Sequence, residues 1–596
     1  MLLAWQMASA QVVTAEQARQ RAARFFTKAE VRTKSASVSP DEFKLIGTFP
    51  EVTTKSPAAA PVMYIFERAA GGYAIISGDD VARPVLGYSL KGNFPVSDMP
   101  DNMRALLQWY ADIIAYARQQ GWASAQDLEA DSGLDPANSV QLQTAQWNQG
   151  SPFNDLVPEI NGQKPPIGCV ATAIAIVMRY HKWPQKGTGA LPSYDYSRGG
   201  IQYHVEGYPL GHEYDWDRMP EEYGNCSEEE ASQIARLLYD VAVMCKMQFY
   251  PGGSSSAAWH AMWLSDYFGY DKQITELTRA KGHSDLDWER SVMDEINAGR
   301  PVLFSGNRNQ AGHAFVVDGY NGRYFSINYG WGGGSNGYYV LTPIDGHEQD
   351  LLLYYSDQAM VCRFMPEGEG EATEPFVYLY STSHLPFDFQ TGKAFSLNSD
   401  VWNASMSPVT TDFQYVLLDR KDQIKETISS IIRMEVPALG YAYTEDLSCR
   451  ISKPIEEGDQ IVLAMRSTLT GEWIPLTHKR ENSVVFTKRP LTELTEIGYA
   501  EEPVISVWSE GKSKRDIYFL VYRDVSWLLY DETGNELLSD RGWGKSSVIQ
   551  WIFGAKDSND PQCDRILWEI EIPTGTYTIR LKNPATGEEM ELKLVV

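Results

Sequence analysis

One cysteine in this chain stands where its thiol could act as a nucleophile. Cys169 follows Gly168 and opens an Ala-, Ile- and Val-rich run that ends near His181, before Pro184, which predicts a helix that begins at the cysteine. A thiol at a helix N-terminus faces the positive end of the helix dipole and unpaired N–H groups, which favour the thiolate and can bind an oxyanion. Because a cysteine before an apolar helix is more often a buried structural residue, the thiol alone does not establish this chemistry.

A histidine and an asparagine that could complete a catalytic triad lie far downstream. Asn321-Gly322 separates two apolar runs, HAFVVDGY and RYFSINYGW, and predicts a two-residue β-hairpin turn. With those two residues at the centre of the turn, His313 lies opposite Gly330 and shares a face of the hairpin with Asn328. An asparagine in that position can hold the imidazole through its second ring nitrogen.

The order of these side chains and an upstream amide are typical of papain-like chemistry. The histidine follows the cysteine by 144 residues and the asparagine follows it by 159. In papain-like peptidases the histidine and asparagine follow the catalytic cysteine by ~130–150 residues. Gln146, Gln149 and Gln163 precede the cysteine, and we expect Gln149, within WNQGSPFN, to complete the oxyanion hole through its side-chain amide. Trp331 is close enough in sequence to shield the asparagine–histidine hydrogen bond from water, although a tryptophan is more often part of a core.

Several segments together resemble a known family. WNQGSPFN, GCVATAIAIVMRYHKWP, GHAFVVDGY and INYGWGGGSNGYY are similar to motifs of the streptopain family of secreted bacterial cysteine peptidases, which includes the interpains. Upstream, GGYAIISGDDVARPVLGYS and MPDNMRALLQWYADII resemble the propeptide of that family. The resemblance covers residues 11–365. It implies a papain-like α+β domain, endopeptidase activity and no cofactor.

The resemblance implies a role for each matching catalytic residue. Cys169 would be the nucleophile, His313 the general base and then acid, and Asn328 the residue that orients the imidazole. The family also implies a propeptide that acts as the enzyme's own inhibitor until it is removed. We expect that cut between about residues 123 and 145, in a polar, acidic stretch of the kind that proteases reach.

The substrate cleft is assigned on the same resemblance. Gly312, Ser254 and Ser255 would line it, and the family implies a preference for apolar residues two positions before the cut. We assign Trp331 to the same cleft. Tyr329 stands where the family usually has tryptophan directly after the asparagine. An aromatic ring is retained there, so the departure puts a detail of specificity in doubt and not the reaction.

The chain divides into five predicted segments. They are a signal-peptide remnant (1–10), an inhibitory propeptide (11–140), the papain-like catalytic domain (141–365) and two all-β modules (376–490 and 500–596), with a linker around 488–503 between the modules.

An internal repeat supports the two C-terminal modules. Its matching residues are Gly458 with Gly575, Gly471 with Gly587, and Asp419 with Asp531, at separations of 117, 116 and 112 residues. Short strands between turn signals at such a period are typical of immunoglobulin-like β-sandwiches. We expect these modules to be dispensable for the chemistry and to anchor the enzyme or bind a surface partner.

Composition excludes several classes of protein. The 596 residues carry a formal net charge of −26, which repels phosphate backbones and anionic lipid headgroups, so nucleic acid is not an expected partner. No apolar run approaches the ~18 residues of a membrane-spanning helix. Ala8-Ser9-Ala10 resembles a signal-peptidase site, and a disordered start is the alternative. Secretion or a cell-surface or periplasmic location is therefore expected.

Six cysteines in 596 residues are too few for a disulfide scaffold. Bridges between Cys226 and Cys362, or between Cys449 and Cys563, remain open at this stage.

Two further motifs carry no predicted chemistry. GWGGGSNG lacks the Lys-Ser/Thr of a phosphate loop. His181 has no companion cluster that would complete a zinc site, so no metal is expected.

Three functions are compatible with the sequence. The main prediction is a secreted cysteine endopeptidase made as a zymogen. One alternative is a surface adhesin or binding protein with an inert papain-like unit, which the intact Cys, His and Asn disfavour. The other alternative keeps the nucleophile but changes the acceptor, giving an amidase or transpeptidase.

Overall fold

The structure is a computed structural model that describes residues 11–29, 37–49, 60–96, 99–122, 135, 137–279, 285–308, 311–345, 351, 358–369, 372–476, 483–486, 488, 495–499, 514–522, 525–539, 550–556, 565–573 and 575–595. The backbone forms two compact units, residues 1–371 and 372–596. Within the described ranges, no helix combines the length and the apolar character needed to cross a membrane.

The first part of unit 1 is a small sheet with two helices. Its elements are α1 (Ala15–Ala29), β1 (Phe43–Phe49), β2 (Met63–Arg68), β3 (Tyr73–Ser77), β4 (Val85–Ser89) and α2 (Asp101–Gln120). The predicted capping box opens α1: the Thr14 N–H donates to Gln17 Oε1 (2.8 Å), and the Gln17 N–H donates to Thr14 Oγ1 (3.2 Å). Phe25 and Phe26 on the same helix are fully buried.

The second part of unit 1 carries the residues predicted to do chemistry. Its elements are β5 (Ser139–Gln141), α3 (Cys169–His181), β6 (Ala190–Leu191), β7 (Tyr194–Arg198), β8 (Ile201–Val205), β9 (Tyr208–Pro209), α4 (Glu228–Met244), α5 (Leu264–Tyr267), β10 (Thr275–Thr278), α6 (Asp285–Asn297), β11 (Val302–Arg308), β12 (Ala311–Asn321), β13 (Tyr324–Asn328), β14 (Gly337–Tyr339) and β15 (Gln358–Cys362). Helix α3 begins at Cys169 and ends at His181, as its apolar pattern predicts.

One antiparallel sheet runs through both parts of unit 1. In the described residues its strand order is β1-β2-β3-β4-β14-β13-β12-β11-β15-β10, and β5 pairs with the end of β12. Strand β4 joins β14 through the pairs Tyr88–Tyr338 and Gly87–Tyr339. Only glycine fits at position 87, because a Cβ atom there would lie 2.6 Å from the Tyr339 ring. The predicted propeptide and catalytic segments are therefore held together by backbone hydrogen bonds.

Helices α3 and α6 pack on opposite faces of this sheet near β12. Trp288 of α6 contacts Phe304 with 5.7 Å between the ring centroids, and Phe304 stacks on its cross-strand partner Phe315 at 5.3 Å. On the other face, a Cβ atom at Gly330 would lie 2.9 Å from the Thr172 side chain of α3. The sheet thus separates the helix that carries the predicted nucleophile from α6.

The β12–β13 hairpin has a different register from the predicted one. Asn321 pairs with Tyr324, so the central turn residues are Gly322 and Arg323, one position later than expected. A β-bulge at Asp318 then moves the pairing back by one residue.

This register also changes which residues share a face. Asn328 pairs with Val316, and β12 alternates regularly through its pairing with β11. His313 therefore lies on the face opposite Asn328, and the expectation that the two share a face is wrong for this structure, because a one-residue slip moves a side chain to the other face.

Unit 2 consists of strands in its described residues. The first set is β16 (Val377–Thr382), β17 (Ala394–Leu397), β18 (Ser399–Asn403), β19 (Val409–Leu418), β20 (Ile424–Thr427), β21 (Ile432–Val436), β22 (Tyr441–Tyr443), β23 (Leu447–Arg450), β24 (Gln460–Arg466), β25 (Trp473–Pro475) and β26 (Val484–Val485). The second set is β27 (Thr495–Tyr499), β28 (Lys514–Tyr522), β29 (Ser526–Tyr530), β30 (Glu536–Ser539), β31 (Gln550–Lys556), β32 (Arg565–Pro573), β33 (Thr576–Lys582) and β34 (Glu589–Val595). Strand β27 lies inside the stretch predicted as a linker and pairs with β28.

The internal repeat is visible in strand order and in turn geometry. The order β20-β19-β24-β25 in the first set matches β30-β29-β33-β34 in the second. Asp419 Oδ1 accepts the backbone N–H of Gln423 (3.0 Å), and Asp531 Oδ1 accepts that of Asn535 (2.8 Å), so both aspartates close the same turn. These two matched aspartates thus stand at equivalent turns.

The cysteines other than the predicted nucleophile form no bridge in the described residues. Cys226, Cys245, Cys362 and Cys449 are free thiols, which excludes the 226–362 bridge. Cys563 lies outside the described residues, and Cys449 carries a free thiol in the structure.

Candidate active site

The Cys169 thiol lies at the first turn of α3, beside β12. Its N-cap Gly168 has φ of 100°, and a Cβ atom there would lie 2.7 Å from Met247 Sδ, so glycine is required by both conformation and space. The backbone N–H of Ala314 donates to the sulfur. The thiol is therefore seated against the strand that carries His313.

The surroundings of Cys169 raise the pKa of its thiol and so favour the protonated form. Burial is the largest effect and raises the pKa of the thiol, and the Asp101 carboxylate raises it further, while the N–H groups of Ala314, Val170 and Cys169 itself act in the opposite direction.

His313 is half-buried, and burial lowers its pKa while the Asp101 charge raises it. Because burial is the largest effect on both groups, it raises the pKa of the Cys169 thiol and lowers that of the His313 imidazole, and both shifts favour the neutral forms.

The N-terminus of α2 reaches into this site from the predicted propeptide. Asn102, only 2% exposed, donates its amide to the carbonyl oxygens of Ala314 (3.2 Å) and Tyr329 (2.8 Å). These carbonyls are the neighbours of His313 and Asn328 in sequence. One propeptide side chain thus ties together the two strands on which the predicted histidine and asparagine stand.

The Asn328 amide is fully buried and already engaged. Its Nδ2 donates to Thr144 Oγ1 (3.0 Å) and to the Ala145 carbonyl (2.9 Å), and its Oδ1 accepts the Gly330 N–H (3.1 Å). Among the described residues, His313 makes no side-chain hydrogen bond, and none joins it to Asn328. The predicted orienting contact is thus absent while the propeptide is docked.

Gln149 lies where an oxyanion donor is needed. Its carbonyl accepts the N–H of Ile167 (3.0 Å), two residues before the cysteine, and its buried side-chain amide has no hydrogen-bond partner among the described residues. The amide of Gln146, in contrast, is occupied by Asn336 (2.6 Å), and Gln163 is exposed in a turn. The geometry therefore favours Gln149 over the two other candidates.

The predicted cleft residues surround the start of α3 unevenly. Ser254 Oγ donates to the Pro166 carbonyl (2.6 Å), and its Cβ lies 3.3 Å from the position of a Cβ at Gly168. Ser255 pairs with Gln248 through the backbone, and its hydroxyl accepts a hydrogen bond from Arg198 Nη1 (3.3 Å). Ser254 thus borders the nucleophile, whereas Ser255 serves the adjoining turn.

Two further cleft predictions concern the downstream strands. Gly312 pairs with Asn307 in the β11–β12 ladder, directly before His313. Trp331 is 37% exposed, so it is a surface ring here and not part of the core.

Four residues that the sequence analysis did not assign contribute to the site. Asp101 and Asn102 follow Pro100 at the start of an ordinary amphipathic helix, and nothing local distinguishes them. Thr144 precedes the WNQGSPFN motif without a pattern of its own. Asp318 did carry a signal, since it is a charged residue within the apolar run HAFVVDGY.

The raised pKa of Cys169 leads to a testable pH dependence. In the uncleaved chain, we expect its rate of alkylation by iodoacetamide to keep rising as the pH passes the ordinary thiol pKa, because only the thiolate reacts. Removal of the propeptide takes away Asp101 and part of the burial, so the processed chain should reach its maximal rate at lower pH. Site-resolved mass spectrometry measures both profiles, and identical profiles would contradict this account.

Comparisons with known proteins agree with the geometry. Residues 147–339 match the model of the peptidase C10 family, and residues 10–118 match that of the Spi protease inhibitor. The chain is similar to the thiol protease/hemagglutinin PrtT of Porphyromonas gingivalis, with 32% identity over 410 residues, covering 64% of this chain and 46% of that protein. The chain thus spans about half the length of that relative.

Two other relatives are covered more completely. Streptopain of Streptococcus pyogenes is 28% identical over 340 residues, covering 54% of this chain and 83% of that protein. A solved fragment of prointerpain A from Prevotella intermedia is 29% identical, with a TM-score of 0.44, covering 55% of this chain and all of the fragment.

Proposed function

The chain belongs to the streptopain and interpain family of cysteine peptidases, and on that premise we propose that it is an exported endopeptidase made as a zymogen. The observation that carries the proposal is the thiol of Cys169 at the N-terminus of α3, seated against β12 beneath the N-terminus of a propeptide helix. Its substrates are protein or peptide chains, and its own propeptide is its inhibitor. Ala8-Ser9-Ala10 supports export, although these residues lie outside the described ranges.

The proposed reaction follows from the roles of three residues. The Cys169 thiolate attacks a peptide carbonyl, and the oxyanion is held by the Cys169 N–H and the Gln149 amide. His313 donates a proton to the leaving amine, which leaves a thioester on the sulfur. The same imidazole then takes a proton from water, the water attacks the thioester, and the thiolate is regenerated.

Latency follows from the position of the propeptide. Asn102 binds the backbone on both sides of the site, and Asp101 opposes ionisation of the thiol. A second anchor is Arg83, whose guanidinium binds both oxygens of Asp345 (2.9 and 3.0 Å). Asp345 is shared with Arg323 of the catalytic part (2.8 Å). Release of the propeptide breaks these contacts and frees His313 to reach the thiol.

An experiment with a competing amine separates hydrolysis, as proposed, from the transfer that a transpeptidase would catalyse. The processed chain is incubated with a peptide substrate in the presence and absence of a competing amine. Hydrolysis gives a free carboxylate at the cut with or without the amine, whereas a transferase gives the amide in its presence. Amide as the main product would replace the endopeptidase assignment.

Replacement of Asn328 by alanine should weaken the enzyme without abolishing it. Its buried amide makes hydrogen bonds to Thr144, Ala145 and Gly330, and leaving such buried groups unpaired costs ~1–3 kcal/mol, so we expect kcat to fall about five- to hundredfold as the site loosens. Steady-state kinetics of the processed variant measure the loss. A loss as large as that of Cys169→Ala in a folded protein would contradict a supporting role.

For the C-terminal parts, we infer two immunoglobulin-like modules that bind a surface partner. Support comes from the three-stranded sheet β16-β18-β22, whose outward face carries Tyr380, Trp402, Tyr441 and Tyr443. The rings of Tyr380 and Tyr441 are in contact at 5.1 Å, and Tyr443 is 75% exposed. Exposed aromatic clusters of this kind are enriched in binding surfaces.

A further inference from the structure

The turn directly before Cys169 contains two prolines in succession. Residues 165–168 read Pro-Pro-Ile-Gly, and the next residue is the first of α3. Because proline has no backbone N–H, the carbonyl oxygen is the only main-chain group at the first two positions that a hydrogen bond can hold. We call residues 165–168 the nucleophile turn. Its conformation determines where the Cys169 N–H points, since that N–H belongs to the peptide unit that follows the turn.

Both proline carbonyls of the nucleophile turn are held by side chains. Asn154 Nδ2 donates to the Pro165 carbonyl (2.9 Å), and Ser254 Oγ donates to the Pro166 carbonyl (2.6 Å). Pro165 is buried and Pro166 is partly buried. The position of the turn is therefore set by groups that lie outside it.

The loop 149–154 holds the nucleophile turn at two points. Besides the bond from Asn154, the Gln149 carbonyl accepts the Ile167 N–H (3.0 Å). The Asn154 N–H donates to the Gly150 carbonyl (3.3 Å), which closes the loop on itself. The turn thus leans on a loop whose first residue is the proposed side-chain donor of the oxyanion hole.

The Asn154 side chain makes only this one hydrogen bond in the part of the chain that the structure describes. The residue is 6% exposed, and its buried Oδ1 atom has no partner there. Burying an amide whose bonding capacity is half used costs free energy that an apolar side chain of the same size would not cost. Stability alone therefore does not explain an asparagine at this position, whereas its bond to the nucleophile turn does.

We propose that Asn154 is a positioning residue for the oxyanion hole: by holding the Pro165 carbonyl, it fixes the nucleophile turn and with it the direction of the Cys169 N–H. An oxyanion donor is effective only when it is held in place before charge develops. The inference rests on the proposed function, because this N–H has an oxyanion to bind only in a cysteine peptidase.

Kinetics of the processed full-length chain test the proposal. Asn154→Leu removes the amide at similar side-chain size. We expect kcat to fall about fivefold with KM unchanged, the effect of one hydrogen bond that matters when the oxyanion forms. The matched control is Gln163→Leu, which removes an exposed amide of the adjoining turn that makes no side-chain hydrogen bond among the described residues. The control should stay within about twofold of the parent.

Two thiol reagents separate a displaced oxyanion donor from general damage. A peptide aldehyde adds the Cys169 thiol across its carbonyl: a C–S bond forms, and the aldehyde oxygen takes the thiol proton and lies where the oxyanion would. Iodoacetamide alkylates the thiolate with loss of iodide and forms no oxyanion. In Asn154→Leu, the dissociation constant of the aldehyde should rise about fivefold, while the alkylation rate stays within about twofold of the parent.

A second variant, Asn154→Asp, gives a readout that a loss of packing would not give. A protonated carboxyl can donate to the Pro165 carbonyl, whereas an ionised carboxylate can only repel it. Burial favours the protonated form. The ratio of the kcat of this variant to that of the parent should therefore rise as the pH is lowered. The same measurement tests the proposal if Asn154→Leu fails to fold.

Failure of the inference and failure of the proposed function look different. Three results would overturn the inference and leave the peptidase intact: parental kcat and aldehyde affinity in Asn154→Leu, equal losses with aldehyde and iodoacetamide, or an Asn154→Asp ratio that does not change with pH. A parent chain without turnover, in which an epoxide inhibitor does not label Cys169, would overturn the function itself.

Discussion

Replacing Cys169 by alanine should abolish the self-trimming of the full-length chain. The proposed mechanism has no other nucleophile at the site, and loss of the nucleophile in comparable triads costs ~10⁶ in kcat, which is below detection here. The purified chain and the variant are incubated side by side under reducing conditions at mildly acidic to neutral pH, with intact mass followed over time. We expect the parent alone to give a product that begins between about residues 123 and 145, and a thiol-directed epoxide to add its mass at Cys169.

The matched control is Cys226→Ala. Cys226 is also a free and partly exposed thiol of unit 1, but it precedes α4 and lies outside the site. This variant should trim and label like the parent. If parent and Cys169→Ala both stay intact, an added protease should remove the N-terminal segment. A Cys169 that is still unlabelled after that treatment would favour the binding-protein alternative with an inert papain-like unit.

Substitution of Gly87 by valine should open the site in the uncleaved chain. A Cβ at this position would lie 2.6 Å from the Tyr339 ring and 3.2 Å from the Tyr338 carbonyl, so the side chain collides with β14 across the junction of the two sheet segments. Overpacking of this kind costs ~1–3 kcal/mol. We expect the rate of epoxide labelling of uncleaved Cys169 to rise about five- to hundredfold, measured from intact mass at early times.

Gly47→Val separates loss of docking from general damage to the propeptide. Gly47 lies on β1 of the same sheet, and a Cβ there would meet only the end of the Ile65 side chain, at 3.7 Å. Labelling in this variant should match the parent. A Gly87→Val chain that labels no faster than the parent would mean that the β4–β14 junction does not contribute to latency.

Structural features that depend on residues close together in the sequence could be predicted. The helix from Cys169 to His181 follows from its apolar run and from the Pro184 that ends it, and the Thr14–Gln17 capping box follows from residue types three positions apart. The repeat in unit 2 was detectable because equivalent turns need the same residues, such as Asp419 and Asp531.

Features that depend on distant pairing could not be predicted. The two-residue turn signal at Asn321-Gly322 placed the hairpin correctly, but the actual turn starts one residue later and the bulge at Asp318 shifts the strands once more. Neither shift has a local signature, yet the bulge decides that His313 and Asn328 lie on opposite faces. The pairing of Gly87 with Tyr339, 252 residues apart, is likewise invisible in either segment alone.

The β4–β14 junction has a consequence for the processed enzyme. Once the propeptide leaves, β14 becomes an edge strand of the catalytic sheet. The main-chain donors and acceptors that had been paired with β4 then face solvent. Edge strands are templates for pairing with another copy and for aggregation, and natural proteins limit such pairing by keeping edge strands short. Strand β14 spans only Gly337–Tyr339. Activation thus exposes a short edge strand, and its length limits the addition of a strand from a second molecule.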